Sequence, residues 1–122
     1  MFEGKTDMAE RRAILEMGAG AALHGGDYTK AATRAVYDAI HHSSLTFIKS
    51  LGLDSKKTNV MVTIGVQKPS EVDLDAVKAC LPHGNVTVSA RLGGLDVPNE
   101  EHGDITVIAS AAIDVRYDFD NR

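Results

Sequence analysis

The chain has 122 residues, 43% of them hydrophobic and 25% charged, with a formal net charge of −4 and a pI near 5.6. That is enough for one domain with one core, in the ordinary globular range of composition. The acidic balance, the scattered basic residues and the absence of tryptophan argue against nucleic acid as a partner, which needs clustered Lys/Arg and stacking aromatics.

Cys80 is the only cysteine, so no internal disulfide can form; this fits a reducing compartment. No stretch is long and apolar enough to span a membrane. Residues 1–10 lack the apolar centre of a signal peptide and read as a flexible tail before a single domain, 11–122. The expected location is cytoplasmic.

In chain order, alternation predicts a first strand over Arg12–Met17, with Ala13, Leu15 and Met17 on one face and Ile14 and Glu16 on the other. A glycine-rich turn follows, Gly18-Ala19-Gly20-Ala21-Ala22-Leu23-His24-Gly25-Gly26. Asp27 is placed to cap a helix, its carboxylate accepting from first-turn N–H groups. Ala32, Val36, Ile40, Phe47 and Leu51 then recur at helical spacing, predicting a helix over Tyr28–Leu51 closed by Gly52.

A second strand is predicted at Val60–Val66, with Val60, Val62, Ile64 and Val66 on one face. Asp73 caps a short helix through Leu81, with Val77, Cys80 and Leu81 facing inward. Asn85–Leu92 alternates as a third strand. Gly93-Gly94 marks a turn or bulge, and the polar stretch through Pro98 and Gly103 reads as a mobile loop. Asp104–Tyr117 is a long last strand, apolar on both faces in its middle and therefore central.

The expected fold is α+β, ordered β-α-β-α-β-β. The last two strands pair antiparallel, the longest slots between the first two, and both helices cover one face of a mixed four-stranded sheet. The opposite face would carry Met61, Thr63, Ser89, Ile108, Ser110 and Ala112, too apolar for water over that area. Such a face marks an interface and predicts an oligomer.

The candidate site is the glycine-rich turn. Gly18, Gly20, Gly25 and Gly26 would let backbone approach a ligand, Asp27 stands at the helix start, and His24 would handle a proton near neutral pH. The nucleotide versions of such a turn fail. Leu23 holds the place of the third dinucleotide-motif glycine, and no lysine follows Gly25. The competing reading is a bend with an exposed histidine. Arg91, on the interface face, could meet a ligand charge or form an intersubunit ion pair. His41-His42 are adjacent on a helix and cannot jointly bind one metal in the usual way; with His24, His83 and His102 at no ligand-like spacing, no metal and no cofactor is expected.

The run from Gly18 to Gly25 resembles the Gly-x-Gly-x-Asp-x-His-Gly signature of a small uncharacterised bacterial and plant family, the Lin-type conserved-hypothetical proteins. Asp27-x-Thr29-Lys30-Ala31-Ala32, Val72–Lys78 and Gly93-Gly94-Leu95 resemble it too. The family's aspartate position is Ala22 here. The strand order also resembles chorismate-mutase-like trimers, which implies ligand sites between subunits. The leading expectation is a homo-oligomer, trimer favoured, binding a small polar or anionic metabolite at its interfaces, with cofactor-free acid–base or hydrolytic chemistry on a small ring or amide if it is an enzyme. The alternative is a non-catalytic structural or regulatory subunit of a hetero-oligomer with a paralogue.

Overall fold

The computed structural model describes residues 10–41, 57–81 and 84–118. Within them the chain forms β1 (Glu10–Ala22), α1 (Tyr28–His41), β2 (Thr58–Val66), a 3-10 turn (Pro69–Glu71), α2 (Leu74–Lys78), β3 (Asn85–Leu92), β4 (Leu95–Asn99) and β5 (Asp104–Asp118). The expected helix over 42–51, its Gly52 cap, His42 and His83 lie outside the described residues.

Both capping expectations hold. Lys30 N–H donates to Asp27 Oδ1 at 2.9 Å, and the N–H groups of Asp75 and Ala76 donate to Asp73 Oδ1. The buried stripe of α1 is Tyr28, Ala31, Ala32, Ala35, Val36 and Ala39, a repeat of three and four residues that fills one helical face.

The sheet order is β1-β5-β2-β3, with β4 also paired to β5. The longest strand is central, and both β1 and β2 run antiparallel to it. Two expectations are corrected. The sheet has five strands among the described residues, not four, because Leu95–Asn99 is a strand rather than loop. The antiparallel partner next to β5 in sequence is therefore β4, while β3 lies parallel to β2 at the sheet edge.

Gly93 and Gly94 make this rearrangement possible. They carry the chain past the end of β2, so that β4 lies beside the first half of β5 while β2 lies beside the second. At Gly94, φ is +61° and a Cβ would stand 2.1 Å from the Ile108 carbonyl oxygen, so only glycine fits. Gln67 Nε2 donates to the carbonyls of both glycines at 3.0 and 3.2 Å. The turn from β4 to β5 closes with His102 N–H donating to Asn99 O.

The core lies between the helices and the inner face of the sheet. Val60, Val62, Ile64 and Val66 of β2, Val107 to Val115 at alternate positions of β5, and Val77 of α2 join the α1 stripe in one cluster. Cys80 packs half-buried against that cluster, its Sγ 3.6 Å from the Ala76 carbonyl, rather than fully inside it.

Candidate functional site

The glycine-rich segment divides into two parts that the sequence reads as one. Residues 18–22 are the last five of β1, not turn. Their glycines face α1, and a Cβ on Gly18 would stand 2.4 Å from Ala39 N and 2.5 Å from Ala35 O. A Cβ on Gly20 would stand 2.4 Å from Ala35 N and 2.6 Å from Ala31 O. Strand and helix backbones touch directly here, which requires glycine on one side and alanine on the other. Ala22 is fully buried in the same core, so its side chain does not line the loop.

The true turn begins at Leu23. Gly25 and Gly26 hold consecutive positive φ values of 79° and 59°, and no atom lies within 4 Å of a Cβ placed on Gly25. The turn is sewn to the start of β5. Thr106 Oγ1 donates to Leu23 O at 3.0 Å. Asp104 Oδ1 accepts from Gly25 N–H at 2.9 Å and from its neighbour Ile105 N–H at 2.8 Å, while Oδ2 meets His24 Nδ1 at 3.0 Å.

Those backbone donors, Gly25 first, hold the Asp104 carboxyl below the usual carboxylate range, and His24 adds to the effect. An ionised carboxylate only accepts, so His24 Nδ1 is the donor in this contact, which turns Nε2 away from Asp104. The His24 side chain is 71% exposed. Asp104 thus orients the His24 ring, a partner that the sequence alone did not reveal. The only signal was Asp104 at the start of a long strand, 80 residues from the histidine.

Asp104 and Thr106 share strand parity with Ile108, Ser110, Ala112, Asp114 and Arg116. The histidine–aspartate pair therefore stands at one end of the sheet face that no described helix covers. Cross-strand register fixes that face in rows: Ala21–Ile108–Leu95, then Ala19–Ser110–Gly65–Arg91, then Met17–Ala112–Thr63–Ser89, then Leu15–Asp114–Met61–Thr87. Small residues fill its middle. Met17 is 67% exposed, Leu95 60%, Met61 47% and Leu15 45%.

At the far end Asp114 accepts from Arg12, at 3.1 and 3.2 Å, and from Arg116 at 3.2 Å. Arg91 is exposed on this face, opposite Gly65. Asp104 and Ser110 are six residues apart on one strand, about 20 Å at the usual rise. Arg91 lies two strands beyond Ser110 in its row, so one protomer does not bring Arg91 to His24. Asp27 is committed to capping α1, and its carboxylate occupies the place an anion would take at that helix end.

Beneath the α1 N-terminus, Tyr28 OH donates to Asp96 Oδ2 at 2.5 Å. Asp96 Oδ1 is buried without a partner among the described residues. The hydrogen bond to Asp96, then burial, then the charges of Asp96 and Glu71 push the Tyr28 phenol from 10.0 up to about 12. A raised folded pKa stabilises the fold below the unfolded value; that contribution is lost as pH rises from 10.0 towards 12. Tyr28→Phe should cost about 2 kcal/mol near neutral pH, and the gap should narrow in alkali. Urea midpoints of both proteins on either side of the phenol titration check this.

No described helix is long and apolar enough to cross a membrane, and no three potential ligand side chains cluster for a metal among the described residues.

An α+β domain with a helix-covered and a bare sheet face is the class these features define. Residues 12–115 match the family described as conserved hypothetical protein (Lin0512_fam), and the chain belongs to that family. It is also similar to a crystal structure of an FtsZ-like protein of unknown function from Nostoc punctiforme PCC 73102. The identity is 35% and the TM-score 0.78, over 91% of this chain and 98% of that one. No curated protein matches the chain.

Proposed function

We propose that the protein is a cytoplasmic homo-oligomer whose bare sheet faces pack together, in a trimer of the chorismate-mutase-like kind, and bind a small polar or anionic metabolite at the seam. The observation that carries this reading is the bare face itself, with Met17, Leu95, Met61 and Leu15 exposed along strands that are otherwise well covered. A monomer gains nothing from such a surface, whereas a partner would remove it from water.

The chemistry of the reading rests on His24. Asp104 fixes its tautomer, Nε2 is open, and the pair sits at the end of the face where a second subunit would close over it. Arg91 of a neighbouring copy would supply the positive charge that one protomer cannot place there. Acid–base or hydrolytic chemistry on a small ring or amide needs no more than a positioned base and a charge partner. Gly25 and Gly26 shape the loop; Gly18 and Gly20 are left out of the site because they pack on α1.

A thermal-shift screen of small carboxylates, phosphates and cyclic amides tests this. At least one compound should raise the melting temperature of the wild type by several degrees and leave His24→Ala unmoved. A compound that stabilises both proteins equally would take His24 out of the site.

A further inference from the structure

Among the described residues the sheet has three outer edges, and two of them are guarded against strand pairing. On β1 a bulge falls between Arg12 and Ile14, and α1 plugs the backbone beyond it. Asp38 Oδ2 accepts from Ala19 N–H at 2.9 Å, and Arg34 Nη1 donates to Ala21 O at 2.7 Å. Those outward-facing groups are the ones a further strand would use. On β4 the edge is five residues long and contains Pro98. Short length, proline, bulges and charge are the usual protections of a sheet edge.

β3 has little of this protection. It has eight residues, Asn-Val-Thr-Val-Ser-Ala-Arg-Leu, with no proline, no lysine and no register break against β2, and its one charge is Arg91. No described strand pairs with its outer edge. Its inward residues Val88 and Ala90 pack against the core yet remain half-buried, because the neighbouring α2 is only five residues long.

We infer that β3 pairs with β3 of a second copy, antiparallel across a two-fold axis, joining two sheets into one. The sequence is self-complementary in a register centred on Val88. Thr87 falls opposite Ser89, Val86 opposite Ala90 and Asn85 opposite Arg91. Hydroxyls meet hydroxyls, aliphatics meet aliphatics, and the arginine meets an amide rather than its own copy. A two-fold contact requires such matching, since the same strand supplies both sides. This contact is separate from the face contact proposed above and does not depend on it.

The test uses the full chain in two forms. In a Cys80→Ser background, Val88→Cys should crosslink to its own copy through a short bifunctional maleimide. Thr87→Lys/Ser89→Lys alters exposed side chains on β3 and places lysines opposite lysines across the axis; both positions also lie on the bare face, so loss of the crosslink, rather than mass alone, reads the edge contact. It should halve the assembly mass by light scattering and abolish the Val88→Cys crosslink. Charging the bare face with Met17→Lys/Met61→Lys should leave that crosslink intact, and a crosslink that persists there at reduced mass separates the two contacts. Val88→Cys chains that stay single, or a lysine variant with unchanged mass, overturn the edge pairing.

Discussion

Gly20→Val is expected to lower stability by about 3 kcal/mol or more, the upper end of what overpacking a close contact costs, and Gly18→Val should behave alike. Even a Cβ at either position would stand 2.4 Å from a backbone nitrogen of α1. Backbone cannot rotate away as a flexible side chain can, so the helix must lift off the strand. Lifting it separates Ala31, Ala35, Ala39 and Val36 from β1 and β5, which together make much of the core. A domain stable by about 5–15 kcal/mol keeps little margin after that loss. Gly25→Ala gives the contrast. Its φ of 79° is awkward for alanine, but nothing obstructs the new methyl, so the cost should be about 1–2 kcal/mol. Chemical denaturation of the three variants checks the ranking. A Gly25→Ala loss larger than that of Gly20→Val would contradict the assignment of Gly18 and Gly20 to packing.

The second large effect concerns assembly. Met17→Lys/Met61→Lys places two charges on the bare face, one in the row of Ala112 and Thr63 and one in the adjacent row beside Asp114. Each methionine is about half or more exposed in the single chain, so the isolated fold should lose little stability. In an assembly closed over this face, each would exchange a burial gain of about 1.5–3 kcal/mol for a desolvated ammonium. The assembly mass should therefore fall while the circular dichroism spectrum is kept. Ligand-induced stabilisation should fall with it, since the proposed site is complete only between subunits.

Much of the fold is legible in the residues. Alternation in Val60–Val66 and Asn85–Leu92, the two aspartate caps and the doubly apolar middle of Asp104–Tyr117 each carry a local signal strong enough to place an element. The central position of β5 follows from the same logic. Two segments misled for physical reasons. Gly18 to Ala22 has the composition of a turn, and glycine in a strand is unfavourable unless something needs the space. What needs it is the four-residue spacing of Ala31, Ala35 and Ala39, whose meaning emerges only when strand and helix are set against each other. Leu95–Asn99 is short, contains Pro98 and exposes Leu95 and Val97, so it reads as loop; pairing with β5 makes it a strand.

The site was legible in half. His24 and the turn glycines Gly25 and Gly26 can be picked out as candidates from the sequence, because a histidine beside paired glycines is a local pattern, and the structure places them in one turn. Asp104 was not, since its link to His24 spans 80 positions and depends on the turn folding onto the first residue of β5. Arg91, the other candidate from the sequence, lies on a row of the sheet distant from His24 within one chain.

The central claim is that the bare sheet face is an assembly face. Light scattering on the wild-type protein at micromolar concentration tests it most directly, with Met17→Lys/Met61→Lys measured alongside. A wild-type mass of at least twice 13.0 kDa and a smaller mass for the variant are expected. A wild-type mass of 13.0 kDa, or an assembly unmoved by the two lysines, would contradict it.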